Sequence, residues 1–193
     1  MCNRLLTDSS FFQSLVVFDE QLAIQTQQAG CPLCEGRLDR ADYPRKPRGG
    51  PSDLGPDYSK RSSLCCAMDG CRRRATPFSV RFLGRRVYLS AIVVIATILA
   101  HGLTGKRLAQ LREQISDTLS ARTIERWRQW WQEIFPKTGF WKGHKARLKS
   151  PVEKDFLPGS LLDCFSGDDM GHRVRRLLEF ILPLTISFSE KPK

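Results

Sequence analysis

The most regular pattern of apolar and polar positions lies between residues 120 and 136. Its apolar members recur at intervals of three and four residues: Ile124, Trp127, Trp131 and Ile134. That spacing places them on one stripe of an α-helix. Ser120 can cap this helix, because its hydroxyl oxygen can accept a hydrogen bond from an N–H group of the first turn. Pro136 is expected to end the helix, so the pattern predicts a helix with one buried side.

The opposite side of the same helix is polar and basic. It carries Arg122, Thr123, Arg126 and Gln129. Side chains of these types bond phosphate oxygens and the edges of bases in the major groove. We therefore predict a DNA-reading helix, in which Arg122 and Arg126 are the best candidates for contacts with guanine.

Two more helices are predicted immediately before this one. Residues 87–100 are apolar on nearly every side, which indicates a buried helix ending at Gly102. This run of 14 residues is shorter than the ~20 that a membrane span requires. Thr104 can cap the next helix, over residues 106 to about 114. Its inward-facing residues are Leu108, Leu111 and Ile115. Three helices in this order match the trihelical form of the helix-turn-helix.

Four of the seven cysteines form two closely spaced pairs, Cys31 with Cys34 and Cys66 with Cys71. An odd total with such spacings favours a metal site in a reducing compartment over a secreted disulfide framework. The pairs are separated by 31 residues, which predicts a four-cysteine zinc ribbon. Its Zn²⁺ is expected to be structural, because four thiolates leave no open coordination position. Cys65 is an alternative to Cys66 as ligand; the commoner spacing favours Cys66, with Cys65 buried as a small apolar side chain.

The predicted fold class is α+β, mostly helical. The predicted strand segments are 36–46, 60–64 and 72–82. The chain is expected to comprise an N-terminal helical extension (1–30), the zinc ribbon (31–86), the helix-turn-helix (87–136), and a basic segment, linker and C-terminal helical tail (137–193). Gly30 is expected to stop the first extension, whose apolar residues pack either on the body of the protein or on a second copy.

Positive charge is concentrated in one part of the chain. Residues 61–150 hold 18 lysines and arginines against five acidic residues, a net charge of +13, whereas the whole chain carries +11. A polyanion is the natural partner of such a segment, because neutralised phosphates release counterions. The residues predicted to contact phosphates are Arg72, Arg73, Arg74, Arg85, Arg86, Lys106 and Lys142.

With both motifs placed, the chain resembles the DNA-binding regions of bacterial insertion-sequence transposases, in which a zinc ribbon leads into a helix-turn-helix. The matching stretches are Cys-Pro-Leu-Cys at 31–34, the second cysteine pair with Arg72, Arg73 and Arg74, Phe-Ser-Val at 78–80, and Thr-Ile-Glu-Arg-Trp at 123–127. The resemblance covers about residues 31–135. It implies a binder of element ends or operators, encoded by a mobile element and acting in the cytoplasm at the bacterial nucleoid.

The chain departs from that family in two respects. The turn between Ile115 and Ser120 lacks the glycine that is often found there. Such transposases also carry a nuclease domain with three carboxylates, and residues 151–193 are too few to form it. This segment includes the carboxylates Asp163, Asp168, Asp169 and Glu179, but no strand pattern exists to bring them together. We therefore expect no catalysis.

Double-stranded DNA is the expected partner, together with a recombinase or transposase, and a homodimer is a further expectation. No membrane segment is expected. One alternative function is a protein-interaction adaptor of a recombination or transcription machine. Another is RNA binding, with Phe140 or Trp141 stacking on unpaired bases.

Overall fold

The computed structural model describes residues 2–84, 87–102, 104–117 and 119–186. It is a mixed α+β structure in which a little over half of the residues are helical, as predicted. The α-helices are α1 (Cys2–Leu5), α2 (Ser9–Ala29), α3 (Ser90–Leu99), α4 (Gly105–Ile115), α5 (Ala121–Gln129), α6 (Gly139–His144), α7 (Gly159–Leu162) and α8 (Met170–Phe180). The strands are β1 (Leu38–Arg40), β2 (Tyr43–Pro44), β3 (Lys60–Arg61), β4 (Leu64–Cys66) and β5 (Arg74–Ala75).

The strands form two small antiparallel sheets, one of order β1-β4-β5 and one pairing β2 with β3. The registers include Leu38 opposite Cys66, Leu64 opposite Ala75 and Tyr43 opposite Arg61. Strands therefore lie within each of the predicted segments 36–46, 60–64 and 72–82. The third is much shorter than predicted. It ends at Ala75, and residues 79–81 instead bond a carboxylate of α2.

Helix α2 packs on the body of the protein. The Asp8 carboxylate caps its start by accepting a hydrogen bond from the Phe11 N–H at 3.1 Å. Gly30 ends it in the left-handed region, with φ of 78°. Phe12 and Leu15 are buried in the main hydrophobic core, so this side of α2 packs on the body of the same chain.

A buried ion pair joins α2 to the sheets and to the segment before α3. Asp19 and Arg81 are 1% and 3% exposed, and the Arg81 Nε lies 2.7 Å from an Asp19 carboxylate oxygen. The carboxylate also accepts hydrogen bonds from the Ser79 hydroxyl (2.6 Å) and the Val80 N–H (2.7 Å). The other guanidinium nitrogens of Arg81 donate to the carbonyls of Tyr58 (2.7 Å) and Lys60 (3.0 Å). Both buried charges are thus fully bonded.

Helix α3 forms the centre of the core, but it is shorter than the predicted span 87–100. It begins at Ser90, because residues before it are extended and pair with another segment: the Arg48 N–H donates to the Val87 carbonyl at 2.8 Å. Every residue from 90 to 97 is buried. Gly102 lies at φ of 64°, the left-handed conformation expected after the helix end.

The apolar stripe of α5 continues through a π-helical turn, Trp130–Ile134. Ile124, Trp127 and Trp131 are buried as predicted, but Ile134 is 52% exposed. The Phe135 N–H bonds the Trp130 carbonyl, five residues back, so the extra residue in this turn rotates the following positions. Phe135, fully buried, occupies the core position that the sequence pattern assigned to Ile134.

The C-terminal part of the described chain belongs to the same core. The predicted linker before α7 is anchored, since Leu157 is 3% exposed. Helix α8 starts at Met170, because the Asp169 side chain caps it by accepting from the His172 N–H at 2.8 Å. Across the described ranges, no helix has the length and apolar character needed to cross a membrane.

Replacing Asp19 tests how much the buried pair contributes to stability. Asp19→Ala leaves the Arg81 guanidinium buried and unpaired, so we expect the free energy of unfolding to fall by about 3–5 kcal/mol. Chemical denaturation with circular dichroism measures it. The matched control is Glu20→Ala, which removes an exposed carboxylate paired with Arg40 and should cost about 0–1 kcal/mol. Equal losses in the two variants would contradict this role.

Candidate metal centre and basic helix

Two turns bring four thiols together. The first turn carries Cys31 and Cys34 after α2, and the second carries Cys66 and Cys71 between β4 and β5. The four Sγ atoms all lie within 4.8 Å of one another. Cys31 is 3.7 Å from Cys71, and Cys34 is 3.5 Å from Cys66. A tetrahedral site with metal–sulfur bonds of about 2.3 Å has sulfur–sulfur edges of about 3.8 Å, so this cluster could hold one metal ion.

The two turns share one backbone conformation. In each, the residue after the second cysteine is left-handed: Glu35 at φ of 57° and Arg72 at φ of 45°. Among described residues other than glycine, only these two have a positive φ. Gly70, which lies within the second turn, has open space around it, and its φ is not in the left-handed region. The residue that the second turn strains is therefore Arg72.

Gly36 is the glycine that the site requires. A Cβ atom there would lie 2.6 Å from the Met68 side chain and 3.3 Å from the sulfurs of Cys34 and Cys66. The Gly36 carbonyl also accepts a hydrogen bond from the Cys31 N–H at 2.9 Å. Any side chain at this position would push the two turns apart.

Backbone N–H groups point at the sulfur atoms. The Leu33 N–H is the main reason that the pKa of Cys31 is lowered to about 7. At the other three sulfurs a backbone N–H also lowers the pKa, but burial and neighbouring thiols outweigh it and raise the pKa overall. These N–H groups are Gly36 for Cys34, Met68 for Cys66 and Arg73 for Cys71. Four neighbouring thiolates repel one another, so a bound cation is what allows all four to ionise together.

Two further cysteines, Cys65 and Cys164, lie outside the cluster. Cys65 points the other way along β4, with Sγ 3.5 Å from the Arg72 carbonyl. The sequence predicts a buried, purely apolar side chain for Cys65, whereas the structure leaves it half-buried. The Cys164 thiol contacts the Ser160 carbonyl, and burial raises its pKa. Cys66 is therefore the member of the adjacent pair that completes the four-sulfur group.

The core beneath the cluster is small. Apart from the cysteines, its buried apolar residues are Leu38 and Leu64, with Ala75 packed against them. This group is separate from the main core. Such a core supplies little stabilisation by itself, and metal binding would contribute to the folding of this part of the chain.

The predicted DNA-facing residues lie on the outer side of α5. The Ser120 hydroxyl caps this helix by accepting from the Thr123 N–H at 3.1 Å. Arg122, Arg126 and Gln129 are exposed. Thr123 is half-buried, and its hydroxyl bonds that of Ser120 at 2.9 Å, so it is less available than the sequence suggests.

An arginine stabilises the turn that lacks glycine. The Arg112 Nε, in the last turn of α4, donates to the Leu119 carbonyl at 2.7 Å. The bond joins the end of α4 to the residue before the α5 cap. Leu119 is fully buried, which fixes the same segment from the other side. Sequence reasoning missed Arg112, because an arginine at a helix end normally indicates only interaction with the helix dipole.

The predicted phosphate contacts are spread over several elements. Arg72, Arg73 and Arg74 are exposed beside the metal cluster, and Arg74 donates to the Ser63 hydroxyl at 3.3 Å. Lys106 on α4 and Lys142 on α6 are exposed. The predicted contacts Arg85 and Arg86 lie outside the described residues.

The two aromatic residues considered for base stacking are engaged within the protein. Trp141 is 4% exposed and packs on Phe135, with ring centroids 5.0 Å apart. Phe140 is half-buried between the rings of His144 and Phe180, at 4.4 and 5.1 Å. In this conformation neither offers a free face to an unpaired base.

The acidic residues near the C-terminus do not converge. Asp163 pairs with Arg173 at 2.7 Å, Asp169 caps α8, and Glu179 pairs with Arg175 at 3.3 Å. Within the described ranges, the four-cysteine cluster is the one group of candidate metal ligands. No protein-family model, curated protein or solved structure matches the chain. Function must therefore be argued from these residues alone.

The neighbouring cysteines provide a matched test of the ligand set. Cys66→Ser removes one of four sulfurs, so we expect the purified variant to lose its stoichiometric metal. Cys65→Ser changes a thiol that points away and should keep one metal ion per chain. Elemental mass spectrometry on desalted protein measures the metal content. Retention of metal in Cys66→Ser, or its loss in Cys65→Ser, would contradict the assignment.

Proposed function

We propose that the four cysteines bind one structural Zn²⁺ in a zinc ribbon. Soft thiolates in a tetrahedral arrangement favour Zn²⁺ among the common divalent ions. An iron–sulfur centre is the alternative occupant of such a site. Four protein ligands complete the coordination, so the ion has no open position for water or substrate. Its role would be to hold the two turns and the attached arginines in place.

We further propose that helices α3 to α5 form a helix-turn-helix and that the protein binds double-stranded DNA without catalysing a reaction. The observation that carries this proposal is the surface of α5. Its inner side is packed into the core through Ile124 and Trp127, whereas Arg122 and Arg126 are exposed and make no ion pair with any described residue. Arginine in such a position can bond guanine with both arms of its fork.

The charge distribution supports a duplex partner. Segment 61–150 carries the net charge of +13, and exposed cations occur on β5, α4, α5 and α6. Phosphate contacts of this kind orient a protein on DNA without reading sequence. The Arg112 bond supports the same proposal, since it fixes the turn through which α4 orients α5. We infer that a mobile element encodes the protein, as the resemblance implies.

A second candidate is an adaptor function. Both metal-binding turns carry an exposed apolar side chain at the tip: Leu33 is 70% exposed and Met68 is 56% exposed. Exposed apolar groups close together are typical of protein contacts. A recombinase or transposase bound at these tips would use the chain as a tether to DNA. The two functions can be tested by separate substitutions, because Leu33 and Met68 lie on the metal-binding turns and the groove-reading candidates lie on α5.

Arg126→Ala tests the groove assignment. On the duplex that the wild-type chain prefers, we expect a loss of about 1–3 kcal/mol in binding free energy and relaxed preference at one base pair. Arg128→Ala is the control on the same helix. Arg128 is also exposed, but it already pairs with Glu125 at 2.8 Å and is not predicted to contact a base. The control should weaken all duplexes alike and leave the preference unchanged. Fluorescence anisotropy titrations on matched and single-substituted duplexes measure both.

Full-strength binding by Arg126→Ala, with preference intact, would mean that α5 does not read the groove. Stronger binding to a single-stranded RNA than to any duplex would instead favour the RNA alternative.

Arg73→Ala tests the phosphate role of the ribbon. Removing one phosphate contact lowers the slope of log affinity against log salt by about 0.9. We expect equal weakening on preferred and scrambled duplexes, because phosphate contacts carry no sequence information. Arg4→Ala removes an equally exposed cation from α1 and serves as the control. An unchanged slope in Arg73→Ala would place the ribbon away from the duplex.

A further inference from the structure

The structure assembles a second basic surface by bringing part of the basic segment 61–150 beside arginines of α8. A groove of about 690 Å³ lies between the segment after α6 and the segment joining α7 to α8. We call it the C-terminal groove. Its polar lining includes Arg147, Lys149, Ser150, Ser166 and Arg176. The cations come from two parts of the chain that are separated by the whole of α7.

Arg147 and Lys149 belong to the basic segment 61–150, but charge along the chain conceals the part of the groove that α8 contributes. Residues 151–193 hold six basic and seven acidic residues, so by sequence they are neutral to slightly acidic. The groove lining itself holds four cations, Arg147, Lys149, Arg173 and Arg176, and one carboxylate. Asp169 caps α8 and Glu179 pairs with Arg175. The acidic residue at the groove, Asp163, is neutralised by Arg173 at 2.7 Å. The groove therefore keeps a surplus of positive charge.

The surplus cations are available to a ligand. Arg147 and Lys149 are exposed and form no hydrogen bond or ion pair with any described residue. Arg176 uses one nitrogen to donate to the Ser166 hydroxyl at 3.0 Å, which leaves the rest of its guanidinium facing outwards. Serine hydroxyls beside arginines are common partners of phosphate oxygens.

We propose that the C-terminal groove is a second phosphate-contact surface, which binds the backbone of nucleic acid. This inference rests on the proposed DNA-binding function and extends it to residues of α8. A phosphate chain fits better than an acidic protein segment, because the apolar lining residues Leu148 and Phe165 are half-buried against the main core and offer no open anchor pocket.

The test is the triple variant Arg147→Gln, Lys149→Gln and Arg176→Gln, titrated on preferred and scrambled duplexes over a range of salt. If all three groups contact phosphates, the slope of log affinity against log salt should fall by about 2–3, equally on both duplexes. Lys149→Gln alone should lower it by about 0.9. The control variant carries Arg4→Gln, Lys46→Gln and Lys154→Gln, three exposed cations outside the groove, and should keep the wild-type slope.

The outcomes separate the two proposals. If the wild-type chain binds no duplex, the proposed function fails. If the wild-type chain binds and Arg126→Ala loses its preference, but the triple variant keeps the wild-type slope, the groove proposal alone is overturned. It is also overturned if the slope of log affinity against log salt falls by the same amount in the triple variant and in the control. The triple variant could instead lose affinity for a poly-glutamate peptide while its salt slope on duplexes stays unchanged. That result would show that the groove binds an acidic protein segment, and it would likewise overturn the groove proposal.

Discussion

The ion pair between Asp19 and Arg81 is the contact on which the arrangement of the chain depends. Burying two charges costs several kcal/mol, and the cost is offset only when every polar atom is bonded. Here the carboxylate accepts bonds from three consecutive residues, 79–81. The guanidinium donates to the carbonyls of Asp57, Tyr58 and Lys60, at and just before the start of β3. Helix α2, the sheets and the approach to α3 are thereby joined at one point.

This junction connects the two parts of the proposed DNA-binding surface. On one side, β4 and β5 carry the second cysteine turn and the exposed arginines; on the other, α3 supports α5. The small core below the cysteines holds only a few apolar residues, so the metal is expected to order that part, while the main core orders the helices. The metal would hold the two turns, and the turns are attached to the β1-β4-β5 sheet. Strand β4 of that sheet follows β3 after two residues, and Arg81 bonds the Lys60 carbonyl of β3. Asp19 and Arg81 then connect this part of the chain to the helices.

Local signals in the sequence were sufficient for much of this structure. The two cysteine pairs, the caps Thr104 and Ser120 and the end of α2 at Gly30 each depend on neighbouring residues, and each was predicted. Features that depend on distant residues were not. The late start of α3 requires Arg48, nearly 40 residues before the Val87 carbonyl that it bonds. The C-terminal groove likewise exists only because folding brings Arg176 beside residues 147–149. Two other missed features are local but are not indicated by spacing or caps: the π-helical turn that exposes Ile134, and the bond from Arg112 to the Leu119 carbonyl.

The central claim is that a metal-held ribbon and a helix bundle together present α5 to a duplex. It is tested most directly by selecting bound sequences from a random duplex pool and measuring the zinc content of the same protein sample. The account predicts one zinc ion per chain and a shared motif among the selected duplexes, with both lost after chelation. Protein that carries no zinc yet selects the same motif, or zinc-loaded protein that enriches no motif, would contradict it.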